Sequence, residues 1–174
     1  WINVNAAYEA ALAHFIDTLL GRADNNAFLD DLLARARPLA RIGLFNSLSQ
    51  TLIKLTAPGV PDLYRGTETL DLSLVDPDNR RPVDYAHLQA QLDELPLSAA
   101  GAANRLRHLL DDMADGRAKL FVTAKLLALR AAQPALFADG GYQVVPVLGT
   151  HAQRIVAFAR VHASARIVVV APRL

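Results

Sequence analysis

The most concentrated polar segment of the sequence lies between Arg65 and Asp84, and its residue types suit acid–base chemistry or ligand binding. Two adjacent arginines, Arg80 and Arg81, can hold carboxylates or contact a substrate. Carboxylates and arginines also pair in polar loops for structural reasons alone. The residues by themselves leave both interpretations open: a functional site or a salt-bridged loop. The acids concerned are Glu68, Asp71, Asp76 and Asp78.

Several other kinds of site are excluded by residue type or spacing. With no cysteine, thiol catalysis, disulfides and thiolate metal sites are impossible. An EF-hand starting at Asp76 would need an oxygen ligand and a glycine where Arg80 and Arg81 stand. The five histidines show no i,i+4 pair, and neither a glycine-rich phosphate loop nor a Gly-x-Ser-x-Gly motif is present. We therefore expect no metal and no cofactor.

Helical periodicity predicts the elements on the N-terminal side of the loop. Apolar residues recur at helical spacing over residues 3–20, with Asn3 or Asn5 as the N-cap, and Gly21 ends that run. The same period continues over residues 28–55, where we expect Pro38 to split or kink the helix. The Asp24–Asn26 stretch can cap this second run, and Pro58-Gly59 stops it.

After Pro58-Gly59, the pattern predicts a very short strand at residues 60–64 and an irregular loop at 65–83. Three further helices follow, at about 84–94, 99–113 and 116–132, with Asp84, Ser98 and Asp115 as caps.

The sequence changes character after Pro134. Three β-rich runs with short connections predict an antiparallel meander, at about 142–148, 153–161 and 166–172. The predicted fold class is α+β, mostly helical, with a first part at residues 1–138 and a β part at 139–174.

Composition narrows the class of partners. Hydrophobic residues make up 52% of the 174 residues, which is enough for a core, and charged residues make up 20%. The formal net charge of +1 gives no electrostatic reason to expect nucleic acid or an anionic membrane as partner. No apolar run approaches the length of a transmembrane helix. We expect a cytoplasmic protein.

The polar loop and its flanks resemble a known family. Asn46-Ser-Leu-Ser-Gln50 is followed by Leu55-Thr-Ala-Pro-Gly-Val-Pro-Asp-Leu-Tyr-Arg-Gly-Thr-Glu68 and then by Ser73-Leu-Val-Asp-Pro-Asp-Asn-Arg-Arg-Pro-Val-Asp-Tyr85. This ordered block is similar to the maltooligosyl trehalose synthases of the α-amylase superfamily, and the Asp-Pro-Asp-Asn-Arg-Arg-Pro run is its most specific part. The synthases usually carry Gln at the position of Arg65 and Leu-Trp at Thr69-Leu70.

The resemblance implies the C-terminal part of a (β/α)8 barrel followed by a small antiparallel β domain. Residues 60–64 would be the eighth barrel strand, and residues 65–84 the loop after it, which in such barrels contributes to the active-site rim. A complete barrel takes about 250 residues. Both ends of the chain also read as cuts through a longer protein, so we expect a fragment.

The resemblance also implies a reaction. The terminal α-1,4 bond of a maltooligosaccharide becomes an α,α-1,1 bond with retention of configuration, which requires two catalytic carboxylates and a site closed to water. The family motifs that carry those carboxylates have no match here, so the fragment is expected to be inactive alone. Its expected substrate-binding or site-organising residues are Tyr64, Arg65, Glu68, Asp76, Asn79, Arg80 and Arg81.

Two alternative functions remain open from the sequence. One is a hydrolase or transglycosylase of the same superfamily, and the other is a non-enzymatic helical interaction module. Because the eighth strand would lack its neighbours, we also expect self-association of the isolated chain or disorder around residues 65–83.

Overall fold

A computed structural model describes residues 3–21, 25–97 and 102–173. The predicted caps Asp24 and Ser98 lie outside these residues. The helices are α1 (Ala6–Leu20), α2 (Ala27–Thr56), α3 (Tyr85–Glu94), α4 (Ala102–Asp111), α5 (Arg117–Ala132) and α6 (Pro134–Ala138). The strands are β1 (Gly141–Val144), β2 (Ile155–His162) and β3 (Ala165–Pro172). Short 3-10 turns lie at Asp78–Arg80, Met113–Asp115 and Ala152–Arg154. The chain is thus mainly helical with a small sheet, as predicted.

The chain forms two compact units, Trp1–Gly43 and Leu44–Leu174. In the first unit, Asn5 caps α1 by accepting the backbone N–H of Tyr8 at 3.1 Å. The side chain of Asn26 accepts the N–H of Leu29 at 3.0 Å and donates to the carbonyl of Leu19 at 2.9 Å. The predicted caps Asn5 and Asn26 are therefore confirmed, and Asn26 also satisfies a free carbonyl at the end of α1.

Helix α2 runs without a break through Pro38, so of the two expected outcomes the split is wrong, and the kink stays a prediction. Proline removes one hydrogen bond from the helical ladder. The carbonyl that loses its partner is that of Ala34, and because Ala34 is exposed this carbonyl can be hydrated. The long helical segments on both sides propagate cooperatively and tolerate this local cost.

The helical core of the second unit is formed by α3, α4, α5 and the turn between α4 and α5. Its buried members are Leu95, Leu109, Met113, Ala118 and Leu120. Helix α3 begins at the predicted cap, since the carboxylate of Asp84 accepts the N–H of His87 at 2.9 Å. Helix α5 begins one residue later than expected, and its N-cap is Gly116, with φ +81°, so the predicted cap Asp115 is wrong. Asp115 still accepts the N–H of Arg117, at 2.9 Å.

The sheet is an antiparallel meander in the order β1-β2-β3, which confirms the predicted topology. Phe158 pairs with Val144 of β1 and with Val169 of β3, and its side chain is buried. The ring of Tyr142 lies 5.0 Å from that of Phe158. Strand β1 is shorter than predicted and ends at Val144, although Val145 still donates its N–H to Ala157 at 3.1 Å.

Residues 60–64 form no strand, so this prediction is wrong for the chain as it stands. A strand requires a hydrogen-bonded neighbour. The described strands form one three-stranded sheet that does not include residues 60–64. Within the described ranges, no helix is long and apolar enough to cross a membrane.

Candidate functional site

The loop after α2 is closed by a tight turn and by contact between its two ends. Thr67 donates both its N–H and its hydroxyl to the carbonyl of Tyr64, at 3.0 and 2.6 Å. Gly66 has φ +84°, and a Cβ at that position would lie 3.2 Å from Cγ2 of Val83. Glycine is therefore required here by backbone conformation, and a side chain would crowd Val83.

Two arginine–carboxylate pairs stabilise the C-terminal half of the loop, at residues 76–81. Arg80 pairs with Asp76, and Arg81 pairs with Asp78. Asp78 also accepts the N–H of Leu74 at 2.8 Å, and Arg65 donates to the carbonyl of Arg80 at 2.7 Å. The peptide bond between Asp76 and Pro77 is cis. The contacts expected of a salt-bridged loop are thus present.

A cleft of about 440 Å³ opens on this loop. Of the predicted site residues, Arg65, Asn79 and Arg81 line it, together with the two acids Asp71 and Asp78. The other predicted residues lie in the same segment but not in the lining: Tyr64, Glu68, Asp76 and Arg80. Guanidinium donors and carboxylate acceptors on one wall suit the hydroxyl groups of a carbohydrate.

Asp71 is held as a carboxylate on this wall. The hydroxyl of Ser73 donates to it at 2.6 Å and the N–H of Ser73 at 2.9 Å. The side-chain bond and then the backbone bond lower the pKa of Asp71 below its ordinary value of 3.8. Because its pKa is lowered and not raised, Asp71 is suited to accepting hydrogen bonds and not to acting as a general acid.

Glu68 and Lys119 form a second polar group on the helical side of the loop. Burial lowers the pKa of the Lys119 ammonium and nearby Lys54 lowers it further, while Asp71 and Glu68 oppose both effects. Oε2 of Glu68 is buried, and among the described residues it has no hydrogen-bond partner. Lys119, in the first turn of α5, was not predicted as a site residue.

The loop rests directly on the start of α5. A Cβ on Gly116 would lie 3.0 Å from Cβ of Thr69 and 3.2 Å from the backbone nitrogen of Leu70. This close approach needs a residue without a side chain. The position of Thr69 and Leu70 therefore depends on the glycine that begins α5.

Two arginines outside the loop hold the helix that leads into it, and sequence reasoning missed both. Arg130 donates to the carbonyls of Leu55 and Gly59, at 3.0 and 3.2 Å. Arg160 is 1% exposed and donates to the carbonyl of Thr56 at 3.1 Å. A charged residue inside the apolar run of β2 was the only available signal for Arg160.

Over the described parts of the chain, no group of three or more histidine, aspartate or glutamate residues is arranged to hold a metal ion.

Comparisons with known proteins place these features in context. No family model matches the chain. It is 34% identical over 160 residues to maltooligosyl trehalose synthases of two Mycobacterium tuberculosis strains, a match that covers 92% of the chain. The chain spans only 18% of the length of these curated relatives.

Solved structures agree with the sequence comparison. The fold is similar to a crystal structure of maltooligosyl trehalose synthase, with a TM-score of 0.79 and 29% identity over 99% of the chain and 22% of that protein. It is also similar to a variant of the maltooligosyltrehalose synthase from Arthrobacter ramosus, with a TM-score of 0.72 and 32% identity over 99% of the chain and 20% of that protein.

The family resemblance expected from the loop motifs is confirmed, and the chain is related over nearly its whole length to one segment of the maltooligosyl trehalose synthases.

Proposed function

We propose that this chain is part of an isomerase that converts the terminal α-1,4 bond of a maltooligosaccharide into an α,α-1,1 bond. The observation that carries the proposal is the similarity over 92% of the chain to maltooligosyl trehalose synthases at 34% identity, with the matching fold. The reaction breaks one glycosidic bond and forms another within the same molecule. It consumes no water, and the number of sugar units is unchanged.

The chain's contribution is one wall of the sugar-binding cleft, formed by the loop after α2. Arg65, Asn79 and Arg81 line the cleft seen in this structure and would contact substrate hydroxyls. Asp76 pairs with Arg80, and in our proposal this pair organises the loop instead of contacting sugar. Tyr64 and Glu68 complete the rim, where Tyr64 is exposed enough to pack against a sugar ring.

We assign residues 1–138 to the end of a (β/α)8 barrel and residues 139–174 to the start of a C-terminal β domain. In the longer protein, residues 60–64 would take the place of the eighth barrel strand, because a neighbouring strand would supply the missing hydrogen bonds. The loop after that strand then lies at the C-terminal face, where barrel enzymes place their active sites. The catalytic carboxylates would be supplied by other barrel strands.

The proposal is tested on the full-length protein that contains this chain, incubated with maltopentaose. We expect reducing ends to disappear while total sugar stays constant and trehalose-ended product accumulates. Accumulation of reducing sugar would instead identify a hydrolase and overturn the proposal. The same assay on the 174 residues alone should give no conversion, because the bond-breaking acids are absent. Conversion by the isolated chain would contradict the assignment of those acids to other strands.

We also propose that the isolated chain self-associates. Large apolar side chains on the loop are exposed, including Val60 at 97%, Leu72 at 90% and Val75 at 82%. Exposed large apolar side chains favour association because burying them removes apolar surface from water. Sedimentation velocity should show concentration-dependent species, and a monodisperse monomer at all concentrations would contradict this.

A further inference from the structure

We propose that Arg160 and Arg130 are positioning residues for the cleft: together they clamp the C-terminal end of α2, from which the loop of the proposed site begins. The expected effect of these two arginines on catalysis rests on the proposed function. The structural part of the inference, the anchoring of the loop, stands on contacts within the second unit.

Arg160 is a buried cation whose partners are backbone carbonyls. It donates to Thr56 at 3.1 Å, Leu136 at 3.2 Å, Phe137 at 3.2 Å and Gly140 at 2.8 Å. Among the described ion pairs, none involves this guanidinium. A buried charge is costly unless it is hydrogen-bonded, so these bonds compensate the burial of the Arg160 guanidinium.

Three of these four carbonyls belong to the ends of two helices, and the fourth, that of Gly140, follows α6. Thr56 is the last residue of α2, while Leu136 and Phe137 lie in the last turn of α6. Carbonyls at helix C-termini lack intrahelical partners and carry the negative end of the helix dipole. A single guanidinium from the sheet therefore neutralises two helix ends and fixes their separation.

Arg130, which lies in α5, contacts the same end of α2. It donates to Leu55 at 3.0 Å and, beyond the helix, to Gly59 at 3.2 Å. Its guanidinium lies 4.7 Å from the ring centroid of Phe137, and that of Arg160 lies 6.0 Å from the same centroid. The two cations thus share Phe137 and converge on three carbonyls in the stretch Leu55–Gly59.

The consequence concerns the loop. The bond to Gly59 holds the chain just before residues 60–64, and Tyr64 begins the first turn of the loop. An intramolecular transfer requires that the released sugar reattach before water attacks, so the rim must stay closed. Loosening the clamp should move the loop and admit water.

The test uses the full-length protein with Arg130→Met and Arg160→Met, with Arg160→Lys as the conservative variant. Arg166→Met is the control, since it removes the same charge from an exposed position on β3. The main readout is the ratio of glucose released by hydrolysis to trehalose-ended product from maltopentaose. This ratio is independent of how much enzyme is folded, so a purely structural loss of protein would not change it.

We expect the hydrolysis ratio to rise about threefold or more in Arg130→Met, with kcat/KM lowered on the order of tenfold. Arg160→Lys should lie between the wild type and Arg160→Met, and Arg166→Met should match the wild type. If the wild type makes trehalose-ended product but Arg130→Met leaves the ratio unchanged, the positioning role is wrong.

If the wild type makes no trehalose-ended product, hydrogen exchange still tests the arginine clamp separately from the proposed isomerase reaction. In that case the proposed reaction fails, but the clamp still predicts faster exchange in Arg130→Met, by about tenfold, at the loop amides of Thr67 and Leu74. The amides within the β2–β3 ladder should be unaffected. Unchanged exchange at Thr67 and Leu74 would overturn the clamp itself.

Discussion

The loop of the proposed site and the arginine clamp behind it use the same side chain in opposite ways. In the loop, Arg80 and Arg81 are exposed and pair with carboxylates three or four residues away. In the clamp, Arg160 is buried and donates to carbonyls as far as 104 residues away in sequence. Exposed local pairs contribute little to stability because water screens them, whereas a buried cation cannot lose its partners without a large penalty. The loop is therefore ordered locally, while its position is set from a distance.

The strongest test of this contrast is Arg160→Met in the chain. The substitution leaves several buried carbonyls without a donor, and each unsatisfied group costs about 1–3 kcal/mol. We expect the free energy of unfolding, measured with urea, to fall by about 3 kcal/mol or more. A loss as small as that of an exposed arginine such as Arg166 would abolish the distinction.

Gly116→Ala tests the contact between the loop and α5. Alanine is strained at φ +81°, and its Cβ would lie 3.0 Å from Cβ of Thr69. We expect a loss of about 1–3 kcal/mol in the free energy of unfolding. Gly43→Ala is the matched control, because nothing lies within 4 Å of its Cβ position in α2 and helix propensity favours alanine. Equal effects at the two glycines would show that the loop does not rest on α5.

Asp84→Ala probes the far end of the loop, where the chain enters α3. Its carboxylate caps the helix through the N–H of His87. Loss of such a cap typically costs about 1 kcal/mol, which urea unfolding resolves. Asp62→Ala removes an exposed carboxylate from outside the helix cap and should have a smaller effect.

The exposed pair Arg80–Asp76 should be weaker still. Arg80→Gln is expected to lower the free energy of unfolding by less than ~1 kcal/mol, and the difference should shrink further in high salt. A larger, salt-independent loss would mean that the loop is held as firmly as the clamp.

Asp71 provides the smallest expected effect, and this effect disappears in acid. Its pKa is lowered in the folded protein, so its bonds to Ser73 stabilise the fold above its ordinary pKa of 3.8 and are lost as the pH falls through the folded value. Asp71→Asn should therefore reduce stability at about pH 6 but have little effect at about pH 2. A constant difference between wild type and variant at both pH values would exclude this linkage.

Local sequence patterns correctly predicted the elements that are stabilised by contacts between residues close in sequence. The caps Asn5, Asn26 and Asp84 and the three-stranded meander were correct, because capping and short turns depend on residues close in sequence. Three local expectations failed in whole or in part. Pro38 did not split α2, Gly116 and not Asp115 caps α5, and residues 60–64 formed no strand without a neighbour.

The pattern of residues in the chain was enough to place the polar loop and to anticipate its family resemblance and its short-range arginine–carboxylate pairs. Only the folded structure revealed that Arg130 and Arg160 converge on the end of α2, that Gly116 meets Thr69, and that Lys119 lies near Glu68. The physical reason is sequence separation: a guanidinium can bond any carbonyl within reach, and which carbonyls come within reach is decided by how the helices and the sheet pack.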